Sequence, residues 1–160
     1  MSDDFAKFKA HLDSLETGDR AALKRAVGTT LSAADGKAIT VFYRCLPSGI
    51  PRSQEDKWFV VACISCYWGE PAVGGKPFEE LLRELITAEA SDSTEHRITI
   101  LLDTRWDEDG YMMNKLVRLA KMLRQKSNNA PVDFCSLLAD LIGWNHPSQY
   151  VQRKWPRTIF

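Results

Sequence analysis

The chain has no long hydrophobic run, no excess of charge of either sign and few cysteines, and each scarcity removes a class of protein. Its longest apolar stretch, Trp58–Trp68, spans 11 residues, well short of the roughly 20 a helix needs to cross a bilayer. No membrane anchor is expected. Lysine plus arginine number 21 and aspartate plus glutamate number 21, so the overall charge exerts no pull toward nucleic acid or an acidic substrate. The opening MSDDFAKFKAH has neither the apolar centre of a secretory signal nor the composition of a transit peptide. Without such a segment, four cysteines predict reduced thiols in a cytoplasm rather than disulfides.

What is present is helical patterning. A length of 160 residues with 44% hydrophobic content allows one or two compact domains. Phe5, Phe8, Leu12 and Leu15 recur at helical spacing, and Gly18 stops that first helix. Asp19 then caps a helix over Arg20–Val27 that Gly28 ends. The apolar positions from Ser32 to Leu46 predict a third, broken by Pro47. WFVVACISCYW fits a buried helix or a buried strand. Helix is preferred because no second strand exists to pair with it. Pro77 opens a helix over Phe78–Ala88, and a seam at Ser91–Ser93 divides the chain into bundles at 1–90 and 91–160. The second half begins with a capping signal ahead of Glu95 and continues with a helix over Tyr111–Lys126. Another starts at Pro131 and Asp133 and is closed by Gly143, and Ser148 caps a last short helix. The fold class is all-α, in two small helical bundles.

Most chemical motifs dissolve on inspection. Cys63 and Cys66 form a CxxC, but a zinc site needs four ligands. Cys45 and Cys135 stand alone, and His11, His96 and His146 lack ligand spacing, so the pair reads as packing. A thiol or metal hydrolase built on these cysteines is the remotest reading. Asp107, Glu108 and Asp109 lack the calcium-loop pattern and read as a solvated turn. The glycines of Val73–Lys76 lack the Gly-Lys-Ser/Thr ending of a phosphate loop and read as a flexible connection. The expectation is therefore no catalytic residue, no metal and no cofactor.

Charge distribution is more informative. Residues 1–90 hold 11 basic and 13 acidic side chains, and residues 91–160 hold 10 and 8. Within the second half, Lys115, Arg118, Lys121, Arg124 and Lys126 occur with no acid among them. On a helical wheel with Lys115 at zero, Met112, Leu116, Leu119, Ala120 and Leu123 fall at about 40° to 140°. Lys115, Arg118, Lys121 and Arg124 occupy about 180° to 360°. A cation at each turn suits a phosphodiester backbone, and five engaged groups predict a log–log salt slope of roughly −3.5 on single strands. No aromatic row interleaves the basic one, so base stacking is not expected. The competing reading is a scaffold whose stripe meets acidic protein surfaces.

Six signals in order then become familiar. GDRAALKRA at Gly18–Ala26, FYRCLP at Phe42–Pro47, and Ser93, Glu95 and Arg97 ahead of ILL come first. KLVRLAK at Lys115–Lys121, PVDF at Pro131–Phe134 and WNHPxxxVQRKW at Trp144–Trp155 follow. Together they resemble the CasB family, the small subunit of the type I-E CRISPR Cascade surveillance complex, over nearly the whole chain. The resemblance implies a non-catalytic subunit of antiviral defence. Its partners would be a large subunit, backbone filament subunits and a second copy of itself. It also implies a basic surface that contacts the displaced DNA strand, stabilises the R-loop and supports the guide RNA–target path. Carried over by position, the nucleic-acid-binding residues are Lys24, Arg25, Arg44, Arg97, Lys115, Arg118, Lys121, Arg153 and Lys154. Asn114 and Pro156 depart from the family pattern.

Overall fold

Apolar residues three and four apart turn to one face of a helix and are buried by packing that face on a neighbour. The computed structural model describes residues 2–69, 75–89 and 92–160, and among these the chain is all-α. It divides into two compact units, Met1–Glu70 and Pro71–Phe160.

The first unit holds α1 (Ser2–Asp13), α2 (Thr17–Arg25), α3 (Gly36–Cys45) and α4 (Glu55–Trp68). The ambiguous apolar run forms α4, and every residue from Trp58 to Cys66 is buried. A helix that is apolar all round must lie at the centre, and α2 packs along it. Edge-on aromatic pairs lock the neighbours, with ring centroids at 5.0 Å for Phe8–Trp58 and 5.2 Å for Phe42–Phe59.

Two helix starts differ from the sequence reading. Extended backbone at Glu16 lets α2 begin at Thr17, so Gly18 and Asp19 lie inside its first turn rather than ending α1 and capping α2. Asp35 Oδ1 accepts from the Ala38 N–H at 2.9 Å, which starts α3 at Gly36 and leaves Leu31–Ala33 as a separate 3-10 turn.

The second unit holds α5 (Phe78–Glu89), α6 (Asp92–Asp103), α7 (Tyr111–Lys126), α8 (Phe134–Ile142) and α9 (Tyr150–Ile159). Here α5 packs against α9, α7 and α8, so it belongs with the second unit and the division falls earlier than the expected seam at 90/91. The reason is the apolar face of α5. Phe78 meets Trp155 at 5.7 Å, and Trp155 stands edge-on to Trp144 at 5.4 Å.

The glycine-rich connection lies outside the described residues up to position 74. Beyond it, Lys76 donates its N–H to the Pro131 carbonyl and accepts from the Asp133 N–H at 2.8 Å. A Cβ at Gly75 would lie 2.5 Å from the Val132 carbonyl carbon, so this end of the connection is a close backbone approach. Asp133 caps α8 and Gly143 closes it, as the sequence implies. Ser148 does not cap α9; its N–H and hydroxyl engage His146 Nδ1, and Gln149 in the left-handed region precedes the helix.

Candidate nucleic-acid interface

The basic stripe forms on a well-anchored helix. Asp107 Oδ1 accepts from the N–H groups of Gly110 and Tyr111 at 3.0 and 3.1 Å, so the acidic turn is the structural start of α7. Met112, Met113, Leu116, Val117, Leu119, Ala120 and Leu123 are buried, leaving Arg118 and Lys121 exposed and Lys115 half-buried. On α6, Ile98 and Leu101 point inward and Arg97 outward.

Packing of α6 on α7 brings part of the stripe together with Arg97. A groove of about 250 Å³ is lined by Arg97, Ile100, Lys115, Arg118 and Leu119. That is below the roughly 300–1,000 Å³ typical of small-molecule pockets, and it carries three cations. Arg97 Nη1 lies 3.7 Å from Met122 Sδ, and Lys115 Nζ sits 4.5 Å above the Tyr111 ring centre. These neighbours orient the cations without neutralising them. A larger cleft of about 440 Å³ opens beside α9, where Asp103 and Arg105 of opposite charge stand with the polar His146 and Gln152.

Other basic positions are placed differently. Lys126 forms an ion pair with Glu89 at 2.7 Å. Lys154 is held at 2.5 Å from Asp140 and 3.5 Å from Glu79, two carboxylates that are themselves buried. Burial, reinforced by the Asp140 charge, raises the Glu79 carboxyl above its ordinary range. Arg153 is exposed on α9, and Lys24 and Arg25 are exposed at the end of α2. Arg44 lies 3.5 Å from Asp19, which also takes Lys37 at 2.7 Å. The Lys37 hydrogen bond holds the Asp19 carboxyl below its usual range. Lys24, Arg25 and Arg44 belong to the first unit and Arg97, Lys115, Arg118, Lys121, Arg153 and Lys154 to the second. Sequence reasoning missed Tyr111 and Met122 as groove neighbours, although Tyr111 lies one turn from Lys115 on the same helix face.

Cys63 and Cys66 lack the exposure of a reactive thiol. Cys63 and Cys66 face the core of the first unit, where burial pushes the Cys66 thiol up to about 11 and Cys63 higher still. The reactive form is the thiolate, which burial suppresses. Among the described residues, no group of three or more His, Cys, Asp or Glu side chains is placed to hold a metal ion. No helix among them is long and apolar enough to cross a membrane.

Residues 19–159 match the family model of the CRISPR-associated protein Cse2. The chain belongs to the Cse2 family. Solved structures agree, and the CasB resemblance stands with them. CasB of M. ruber shares 21% identity at a TM-score of 0.75, covering 95% of this chain and 89% of that one. CasB from Thermus thermophilus shares 25% identity at a TM-score of 0.74, covering 95% and 96%. A chain of a CRISPR RNA-guided surveillance complex shares 26% identity at a TM-score of 0.72, covering 98% and 92%. Among curated proteins, none matches this Cse2-family chain in sequence.

Proposed function

We propose that the chain is a non-catalytic small subunit of a cytoplasmic, RNA-guided CRISPR surveillance complex of the type I-E Cascade kind. In this role it binds nucleic-acid backbone without reading sequence, and it stabilises the R-loop and the displaced DNA strand in antiviral defence. Its neighbours are the large subunit, the backbone filament subunits, a second copy of itself and the guide RNA–target region.

The convergence of Arg97, Lys115 and Arg118 on one groove carries the reading. Flexible cations beside apolar walls neutralise phosphates and release counterions, and they impose no base geometry. Family membership and the similarity to a chain of an RNA-guided surveillance complex support the subunit role. Burial of Cys45, Cys63 and Cys66 supports a role without nucleophilic catalysis.

A scaffold that touches only protein is the second reading. It draws support from Arg44, Lys126 and Lys154, which pair with the chain's own carboxylates. The two separate when a complex carrying Arg97→Ala, Lys115→Ala and Arg118→Ala together is titrated with target DNA. Backbone binding predicts weaker R-loop formation and a shallower salt dependence with assembly intact. Unchanged values would leave the scaffold reading.

A further inference from the structure

We propose that Tyr111 stacks on an unpaired base whose phosphates run along Arg97, Lys115 and Arg118, which makes the α6–α7 groove a single-strand site rather than a duplex site. This rests on the backbone-binding reading above and adds a base contact, through Tyr111, to the phosphate contacts.

Tyr111 is 59% exposed, and it opens the helix that carries the stripe. Taking Lys115 as zero at 100° per residue, Tyr111 falls at about 320° and Arg118 at about 300°, so the ring lies within the cationic face. The Lys115 ammonium lies over the ring at 4.5 Å. Such a cation–π contact links the ring to Lys115, which itself lines the groove. The backbone beneath it is held as well, because the Tyr111 N–H donates to Asp107 Oδ1. An exposed aromatic at the start of the helix that lines the groove, with its backbone held by Asp107 and its ring against Lys115, is preorganised for a flat partner.

The flat surfaces of nucleic acid are bases, and in a duplex their faces are occupied by one another. An unpaired base has a face to offer, and stacking on an aromatic side chain tolerates any sequence. A ring exposed to solvent therefore selects strand state, while Arg97, Lys115 and Arg118 supply the charge.

The test uses the full chain with an oligodeoxyadenylate and an abasic strand of the same length, which carry the same phosphates. Affinity and the Tyr111 ring-proton shifts are followed by NMR up to millimolar strand. The expected result is tighter binding of the strand with bases and an upfield ring-current shift at Tyr111 with that strand alone. Tyr111→Ala should weaken that strand by roughly 5- to 150-fold, the span of one base–aromatic stack, and bring it level with the abasic one. Tyr111→Phe should retain the difference. Equal affinities and equal Tyr111 shifts for the two strands would overturn the stacking inference and leave backbone binding intact. Absence of any shift at Arg97, Lys115 and Arg118 with either strand would remove both.

Discussion

The indole Nε1 of Trp155 donates to Asp140 Oδ2 at 2.9 Å, placing a carboxylate inside a core of leucine and tryptophan. Lys154 takes the other oxygen at 2.5 Å, so Asp140 joins two consecutive α9 residues to α8. Asp140→Ala would strand the indole N–H and remove the main partner of Lys154. Leaving buried polar groups unmade costs about 1–3 kcal/mol each, so urea unfolding should show a loss of about 2–4 kcal/mol. Asp140→Asn should lose less, because its amide oxygen still accepts.

Glu79 gives the second unit a pH signature. Its carboxyl is raised by burial first and the Asp140 charge next, with Lys154 acting in opposition. A raised folded-state value means that the native state holds the proton where the unfolded chain has released it, so this group's contribution to stability falls as pH rises through that window. The window opens near the unfolded value of 4.5 and extends upward to the folded one. The melting temperature of the wild type relative to Glu79→Gln should therefore rise as pH is lowered from 7.5 toward 4.5. A constant difference would contradict it.

Placement of the cations narrows the expected salt dependence. Three groups in one groove predict a log–log slope near −2 on single strands, and each single alanine at Arg97, Lys115 or Arg118 should reduce it by about 0.7. Lys126→Ala and Lys154→Ala should leave the slope unchanged, because Glu89, Asp140 and Glu79 hold those ammonium groups. Lys154→Ala should still lower stability. Anisotropy titrations at stepped salt concentration measure all five variants.

Thiol chemistry should follow burial. Cys45, Cys63 and Cys66 are buried and Cys135 is half-buried, so iodoacetamide at pH 8 should modify Cys135 first in the native chain. All four should react in denaturant. Mass spectrometry of the quenched reaction would expose the opposite order, and rapid native alkylation of Cys66 would contradict its raised thiol value.

Helical periodicity made most elements legible, and the Tyr111–Lys126 helix matches residue for residue. Local caps were less so. Asp19 and Ser148 both look like helix starts, yet Asp19 turns to Lys37 and Arg44 while Ser148 turns to His146. Tertiary pairing outcompeted capping at Asp19, and a local turn did so at Ser148. The seam was misplaced because α5 is amphipathic by itself, and only its packing on Trp155 says which bundle it joins. Within the site, α7 spacing separated charge from core. It could not reveal that Lys126 meets Glu89, 37 positions away, or that Arg97 would share a groove with Lys115 and Arg118.

On the backbone-binding reading, a groove with three cations on a chain of zero net charge would form a weak grip, and weakness has a use. Tethering beside a strand replaces free encounter with an effective concentration in the millimolar range, at which a feeble contact is occupied much of the time. The same contact lets go once the tether is lost. On that reading the chain would ignore stray nucleic acid in solution, and its hold would depend on being mounted next to the strand.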